Sequence, residues 1–175
     1  MTRKLKLLLG FTVTAAASHF AAVYATPHVL MNIAIKRLSQ DGTKINQFAF
    51  GPRTTQLSRG VVRQSPDLAY SSCAYDLRDG PIEVSAAPSP DGGYVSLSVF
   101  AANTDNIGVY DSLRSPSGIR FVLALDGQSV PGDVEVLRSP SVKGLVLDRR
   151  LAPDAATFAV VDQARRADRC APIKG

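Results

Sequence analysis

Apolar and polar residues alternate with a period of two in several short stretches, which is typical of half-buried β-strands. In residues 94–99, Val95, Leu97 and Val99 alternate with more polar neighbours, and residues 82–86 and 119–125 show the same pattern. The segment between the first two strands contains two prolines and two glycines, which favour turns. Residues 82–86 and 94–99 are therefore predicted to form a β-hairpin with a rather long loop.

Further strands are predicted at residues 45–50, 68–77, 107–110, 134–137 and 143–151, separated by turns rich in glycine and proline. Six to eight short strands indicate a mainly β fold, either an antiparallel β-sandwich or a rolled sheet. A short C-terminal helix is predicted to begin with Pro153 as its first residue. Its end carries Arg165, Arg166 and Arg169, which are expected to lie on a solvated face and, less favoured, to contact lipid head groups or an acidic partner.

The first 35 residues have the pattern of a membrane segment. Arg3, Lys4 and Lys6 precede an uncharged run of 29 residues, from residue 7 to residue 35. A spanning helix needs about 20 apolar residues, whereas the apolar part of a signal peptide has about 7–15, so the length favours an uncleaved anchor. The alternative is a cleaved signal peptide that ends at Ala25. In both cases the basic N-terminus stays in the cytoplasm and the rest of the chain is exported.

The break at Asp41 and Gly42 divides the chain into a membrane anchor with a juxtamembrane helix, residues 1–40, and a periplasmic β-rich domain, residues 41–175. The formal charge of +5 owes much to the N-terminal basic residues. From Thr26 onward, 17 Lys and Arg face 15 Asp and Glu. Because the domain is nearly neutral, we expect no nucleic-acid partner.

Histidine is absent after His28, which excludes several kinds of chemistry from the exported domain. A Ser-His-Asp triad, a Cys-His pair and a metal site with histidine ligands all need it. No glycine-rich phosphate loop is present, and no spacing of the aspartates singles out a pair. We therefore expect no cofactor, no metal and no catalytic residue.

Two cysteines in an exported domain suggest a disulfide. Cys73 lies in a predicted strand and Cys170 follows the predicted last helix. A bond between them would tie the C-terminal tail to the central strands. The alternative is a buried free Cys73 with a loose tail.

Four short motifs in the exported part resemble those of the family known as domain of unknown function 1254. Ser65 departs from them, because it stands where the family has Asn. The matching residues are Asp67 and Tyr70; Asp76, Leu77, Gly80 and Pro81; Gly92, Tyr94 and Ser96; and Leu147 and Arg149.

The chain is most similar to a short, membrane-anchored bacterial version of that family. The resemblance implies a β-rich domain and often a companion protein with domain of unknown function 1214. It implies no established reaction. The basic start and the apolar run favour a domain that is anchored in the bacterial inner membrane and faces the periplasm.

The first functional hypothesis is therefore a non-enzymatic interaction or assembly module. The second is an enzyme or enzyme subunit that acts on a small envelope substrate, with Asp67, Asp76, Tyr94 and Arg149 as candidate ligand-binding residues. A third is a cleaved, soluble binding protein. A concave pocket that joins Arg149 to Asp67 or Asp76 would favour the second, whereas a flat apolar face would favour the first.

Overall fold

The protein, as described by a computed structural model, is a β-sandwich preceded by one long helix. Residues 2–58 and 64–173 are described. Their elements are α1 (Arg3–Leu38), β1 (Phe48–Phe50), β2 (Leu68–Asp76), β3 (Ile82–Ala86), β4 (Val95–Ala101), β5 (Asn106–Asp111), β6 (Ile119–Leu125), β7 (Val136–Ser139), β8 (Lys143–Leu151), α2 (Ala155–Ala164), a 3₁₀ turn (Arg165–Ala167) and β9 (Arg169–Pro172). The mainly β class predicted from the sequence is confirmed.

The strands form two sheets that share one core. The five-stranded sheet has the order β1-β2-β8-β4-β5, with antiparallel pairs throughout, and the four-stranded sheet has the order β7-β6-β3-β9. In the four-stranded sheet β6 and β7 run parallel. Alternate residues of each strand point inward, so the apolar sets meet between the sheets. The core contains Cys73, Tyr75, Ile82, Val84, Val95, Leu97, Val99, Phe121, Leu123 and Val146, among others.

The predicted hairpin between residues 82–86 and 94–99 is wrong. Both strands form, but β3 pairs with β6 and β9, whereas β4 pairs with β5 and β8. The segment with Pro88 and Pro90 thus crosses from one sheet to the other. Each strand has one apolar face, and the sandwich buries both faces by placing the strands in opposite sheets.

The C-terminal segment returns to the sandwich. Asp154, not Pro153, marks the start of α2, because its Oδ1 accepts a hydrogen bond from the Thr157 backbone N–H at 2.8 Å. After α2, β9 pairs with β3 in the four-stranded sheet. Cys170 of β9 is joined to Cys73 of β2 by a disulfide, which links the two sheets across 97 residues of sequence. The tail is therefore a bonded edge strand.

Helix α1 is long and apolar enough to cross a membrane, and no residue of its most apolar 18-residue stretch is buried. It runs through Pro27 without a break. Its last turns bury Met31, Ala34 and Ile35 against the outer face of the five-stranded sheet, where Ala74 and Leu145 lie. The helix ends where Gln40 and Asp41 adopt positive φ angles, next to the predicted break at Gly42.

Candidate functional site

Two of the four predicted ligand-binding residues, Tyr94 and Arg149, lie together on the outer face of the five-stranded sheet. β8 is the central strand, and Arg149 is paired with Tyr70 of β2 on one side and Ser96 of β4 on the other. Tyr94 immediately precedes β4, and its carbonyl accepts a hydrogen bond from the Leu151 N–H at 2.9 Å. With Leu68 and Ser96, the two residues line a hollow of about 120 Å³.

The other two predicted residues lie elsewhere. Asp67 is exposed, and the hollow is not lined by its side chain. Asp76 is at the opposite end of β2, roughly 20 Å from the Arg149 position at 3.3 Å per residue. There it pairs with Arg78 at 2.7 Å and Lys143 at 3.5 Å. The hydrogen bonds from Arg78 lower the pKa of the Asp76 carboxyl. The structure therefore brings together a tyrosine and an arginine, with neither carboxylate.

The surface made by Leu68, Tyr94, Ser96, Arg149 and Leu151 is called the Arg149 face below. Tyr94 is 39% exposed and Leu151 is 42% exposed, so apolar surface surrounds the arginine. The half-buried guanidinium of Arg149 donates from Nη2 to Ser98 Oγ at 2.7 Å. Its Nε is buried and has no acceptor among the described residues. None of the ion pairs formed by the described residues involves Arg149.

The opposite face of the same strand carries a buried ionic cluster, made of Ser71, Asp148, Arg150, Arg165 and Asp168. Arg150 Nη2 donates to both carboxylate oxygens of Asp168 at 2.8 Å, and its Nε donates to Asp148 Oδ2 at 3.3 Å. Asp148 Oδ2 also accepts a hydrogen bond from Ser71 Oγ at 2.9 Å. The cluster thus joins β2, β8 and the turn before β9.

Arg165 connects this cluster to the chain around it. Its Nη1 donates to the Tyr70 carbonyl and its Nη2 donates to the Gly51 carbonyl, both at 2.6 Å. It also pairs with Asp162. Because the Arg165 side chain is fully buried, the expectation of a solvated face is wrong for this residue, although Arg166 and Arg169 are exposed.

Two carboxylates of the cluster share one arginine, and burial raises the pKa of each carboxyl. Burial raises the pKa of Asp168 to about 7, and the neighbouring Asp148 adds to the effect while Arg150 opposes it. Burial likewise raises the pKa of Asp148, against the attraction of Arg150. Asp148 Oδ1 and Arg150 Nη1 are buried without a partner among the described residues. This arrangement ties the C-terminal segment to β8, and it is closed to solvent.

The sequence contains a signal for this cluster that pattern analysis missed. Asp148 and Arg150 are two residues apart in a strand whose other inward residue nearby, Val146, belongs to the core. The period of two therefore places both charges inside the sandwich. Such charges need opposite partners when they are buried. Arg150 pairs with both Asp148 and Asp168.

A second concavity lies beside the edge strand β5 and has a volume of about 270 Å³. Tyr110 stacks on Phe121 with the ring centroids 4.3 Å apart. Burial raises the pKa of the Tyr110 hydroxyl to about 12, with Glu135 contributing. The lining residues are Gly108, Val109, Tyr110, Asp111, Arg114, Ser115 and Glu135.

Within residues 2–58 and 64–173, no three His, Cys, Asp or Glu side chains are grouped so that they could hold a metal ion. The chemistry available on the Arg149 face is that of an arginine, a tyrosine and serine hydroxyls, which recognise anions and aromatic or apolar groups. None of these side chains is paired with a base there.

One solved structure shares this fold. The crystal structure of the VPA0106 protein from Vibrio parahaemolyticus matches with a TM-score of 0.66 at 18% identity, over 85% of this chain and 36% of that chain. The crystal structure of an uncharacterized protein from Burkholderia cenocepacia gives a TM-score of 0.44 at 17% identity, over 90% of this chain and 40% of that chain. This chain therefore spans less than half the length of either protein, and the Vibrio structure supports the fold alone.

No curated protein matches the chain. Residues 45–172, most of the chain and nearly all of the sandwich, match the model of a family described as Protein of unknown function (DUF1254). The match begins just before β1 and ends with β9, so it includes both sheets, the disulfide and the Arg149 face. The chain belongs to this DUF1254 family.

Proposed function

We propose that the chain is a non-catalytic interaction module, anchored in the bacterial inner membrane by α1 with its sandwich in the periplasm. Its partner is a companion β-rich protein with domain of unknown function 1214. The observation that carries the proposal is the Arg149 face, an apolar surface around an arginine without a carboxylate partner among the described residues.

The size of the hollow supports a protein partner over a small substrate. Sites for small molecules are typically about 300–1,000 Å³ and surround most of the ligand. The hollow on the Arg149 face has a volume of about 120 Å³. Neither Asp67 nor Asp76 lines it, so the acid–base pair that an enzyme would use is not assembled there.

The position of α1 leaves this face free. The helix covers the end of the sheet near Leu145, whereas Arg149 lies four residues further along β8, about 13 Å away at 3.3 Å per residue. Since Met31, Ala34 and Ile35 are buried against the sheet, the helix and the sandwich are packed together. An anchor of this kind would hold the domain close to the membrane with the Arg149 face open to a partner.

The residue types on the Arg149 face add a second line of support. Arg and Tyr, the two residue types that line the hollow together, are enriched at the energetic centres of protein interfaces.

The test is purification of the full-length, tagged chain from detergent-solubilised membranes of its native bacterium, followed by mass spectrometry of the bait and its partners. We expect an uncleaved bait with a stoichiometric protein of the companion family, and reconstitution of the pair from purified components. Protease added to spheroplasts should digest the sandwich, because it would face the periplasm. A soluble bait that begins near Thr26 and purifies alone would contradict the proposal.

A second candidate function is binding of a small envelope ligand, as an enzyme, enzyme subunit or binding protein, and the cavity beside β5 favours it. Its volume of about 270 Å³ approaches that of small-molecule sites, and Arg114 and Glu135 bring opposite charges to its walls. A ligand screen by thermal shift tests this function. A hit that stabilises the wild type but not Glu135→Gln would support it.

A further inference from the structure

Among the described residues, Arg149 lacks the carboxylate partner that Arg150 and Arg120, two other arginines of the sheets, have. On the inner face, Arg150 pairs with Asp168, and on the four-stranded sheet the well-exposed Arg120 pairs with Glu83 at 2.7 Å. Arg149 has only Ser98, although its Nε is shielded from solvent. The few residues outside the described ranges contain no Asp or Glu. No acidic side chain of this chain is therefore placed to neutralise it.

Arg149 is partly shielded from water, and no opposite charge of the described residues offsets the desolvation free energy of its guanidinium. Removing a charge from water is unfavourable unless an opposite charge and hydrogen-bond acceptors replace the lost solvent. The neighbours of Arg149 in the hollow are Leu68, Tyr94 and Ser96, and the first two provide mainly apolar surface. The hollow therefore offers positively charged hydrogen-bond donors but contains no negatively charged acceptor for them from the described part of the chain.

The shape of the hollow limits the anion. A volume of about 120 Å³ accommodates the end of one acidic side chain but is well below the size of a typical metabolite site. The Ser96 side chain is on the wall and offers a hydroxyl donor beside the guanidinium. Tyr94 and Leu151 are exposed at the rim, where a protein surface could cover them.

We propose that this hollow receives an Asp or Glu side chain of the companion protein, whose carboxylate accepts hydrogen bonds from the Arg149 N–H groups that Ser98 leaves free. The inference rests on the proposed function, because it identifies the surface and the chemistry of that same interaction. Covering Tyr94 and Leu151 on complex formation excludes water, which strengthens the charged hydrogen bonds. Arg149 is then the energetic centre of the interface, and the surrounding apolar residues exclude water from it.

The experiment measures the affinity of the purified companion for the full-length chain in nanodiscs. The variants are Arg149→Gln, Arg149→Lys and the matched control Arg120→Gln on the other sheet. We expect Arg149→Gln to weaken binding by roughly 30-fold or more, as at interface hot spots. Arg149→Lys should recover part of the affinity, because it restores the charge without the planar fork. Arg120→Gln should change the affinity by less than about threefold, since Arg120 lies on the four-stranded sheet, away from the Arg149 face, and exposed ion pairs contribute little.

A second variant keeps the test decisive if Arg149→Gln does not fold. Ser96→Asp places a carboxylate of the chain itself next to Arg149, so the hollow is already filled. We expect this variant to fold and to lose companion binding by a similar factor. Unchanged binding of either variant relative to wild type would overturn the inference.

The outcomes separate the two proposals. If the companion binds wild type and Arg149→Gln equally well, the carboxylate inference is wrong and the proposed function stands. If the companion does not bind the wild-type chain, both are wrong. If acetate or succinate binds the isolated chain and is lost in Arg149→Gln while the companion does not compete, the occupant is a free small carboxylate and the inference is overturned.

Discussion

Arg149 and Arg150 are consecutive residues of β8, and the pleat of the strand sends them to opposite faces of the same sheet. Arg150 points between the two sheets, where its side chain is 0% exposed and bonded to Asp168 and Asp148. Arg149 points outward, is half-buried, and is bonded to Ser98 alone among the described residues. Two identical side chains in adjacent positions thus have different surroundings.

This difference shows which of the two arginines stabilises the fold and which is available to a binding partner. The partners of Arg150 come from β8 itself and from the turn before β9, so that its loss would leave two buried carboxylates unpaired. Arg149 has no such partner to leave unpaired. A buried pair is costly to break from one side, whereas an unpaired cation at a surface is free to bind an anion from outside.

The largest effect is expected for Arg150→Met. Removing the guanidinium leaves Asp148 and Asp168 inside the sandwich without their shared partner, and breaking a buried pair in this way costs about 3–5 kcal/mol. Urea unfolding of the detergent-solubilised chain measures the free energy of unfolding. A loss below about 1 kcal/mol would mean that the cluster does not hold the C-terminal segment.

Replacement of both cysteines, as Cys73→Ala with Cys170→Ala, should have the next largest effect. The bond closes a loop of 97 residues and holds β9, next to Asp168, against the five-stranded sheet. Loss of such a cross-link typically costs about 2–4 kcal/mol, mainly by freeing the unfolded chain. Unfolding of the oxidised wild type, with and without reductant, provides the control. Equal midpoints for all three forms would contradict the expected role.

The pH dependence of stability tests the cluster without removing Arg150. The pKa of Asp168 is about 7 in the folded protein but about 3.9 in an unfolded chain. Between these values the folded state binds more protons, so the free energy of unfolding should fall as the pH rises from about 4 to about 7 and then level off. We expect the wild type to unfold at lower urea concentration at pH 8 than at pH 5.

Asp148→Asn is the matched variant for that measurement. Because Asp148 adds to the upward shift of the Asp168 pKa, its neutralisation should lower that pKa and flatten the pH profile. A profile as steep as that of the wild type would indicate that other groups cause the pH dependence.

The smallest effect on stability is expected for Arg149→Met. No buried carboxylate loses its partner, and a buried Nε without an acceptor is removed. The free energy of unfolding should stay within about 1 kcal/mol of the wild-type value. A loss comparable to that of Arg150→Met would remove the contrast between the two faces.

The local sequence pattern predicted the positions of most strands but not their pairing. The runs predicted at residues 119–125 and 143–151 coincide with β6 and β8. The first has a clear alternation over seven residues, and alternation of that length is a strong local signal. The hairpin prediction failed although both of its strands form, since pairing depends on which neighbour completes the core. β9 was missed because a four-residue strand at a sheet edge is too short to show a period.

For the candidate site too, the sequence predicted some of the residues, whereas their arrangement depends on the fold. Tyr94 and Arg149 are brought together because β4 and β8 are neighbours, which the sequence does not state. Asp76 was grouped with them by motif, yet its place at the other end of β2 separates it from Arg149. Arg165 looked like an exposed helix-end cation, but the chain folds Gly51 and Tyr70 over it.

The sequence by itself determined the β-rich class, the long apolar N-terminal helix, most strand positions and the family resemblance. These depend on local periodicity, on composition and on short motifs, all of which are properties of neighbouring residues. Only the tertiary structure decided the partition of strands between two sheets, the buried ionic cluster and the unpaired state of Arg149. Those depend on contacts between residues far apart in the chain, such as Asp148 with Ser71 and Arg150 with Asp168. The packing of the two sheets selects these contacts by burying every apolar face at once.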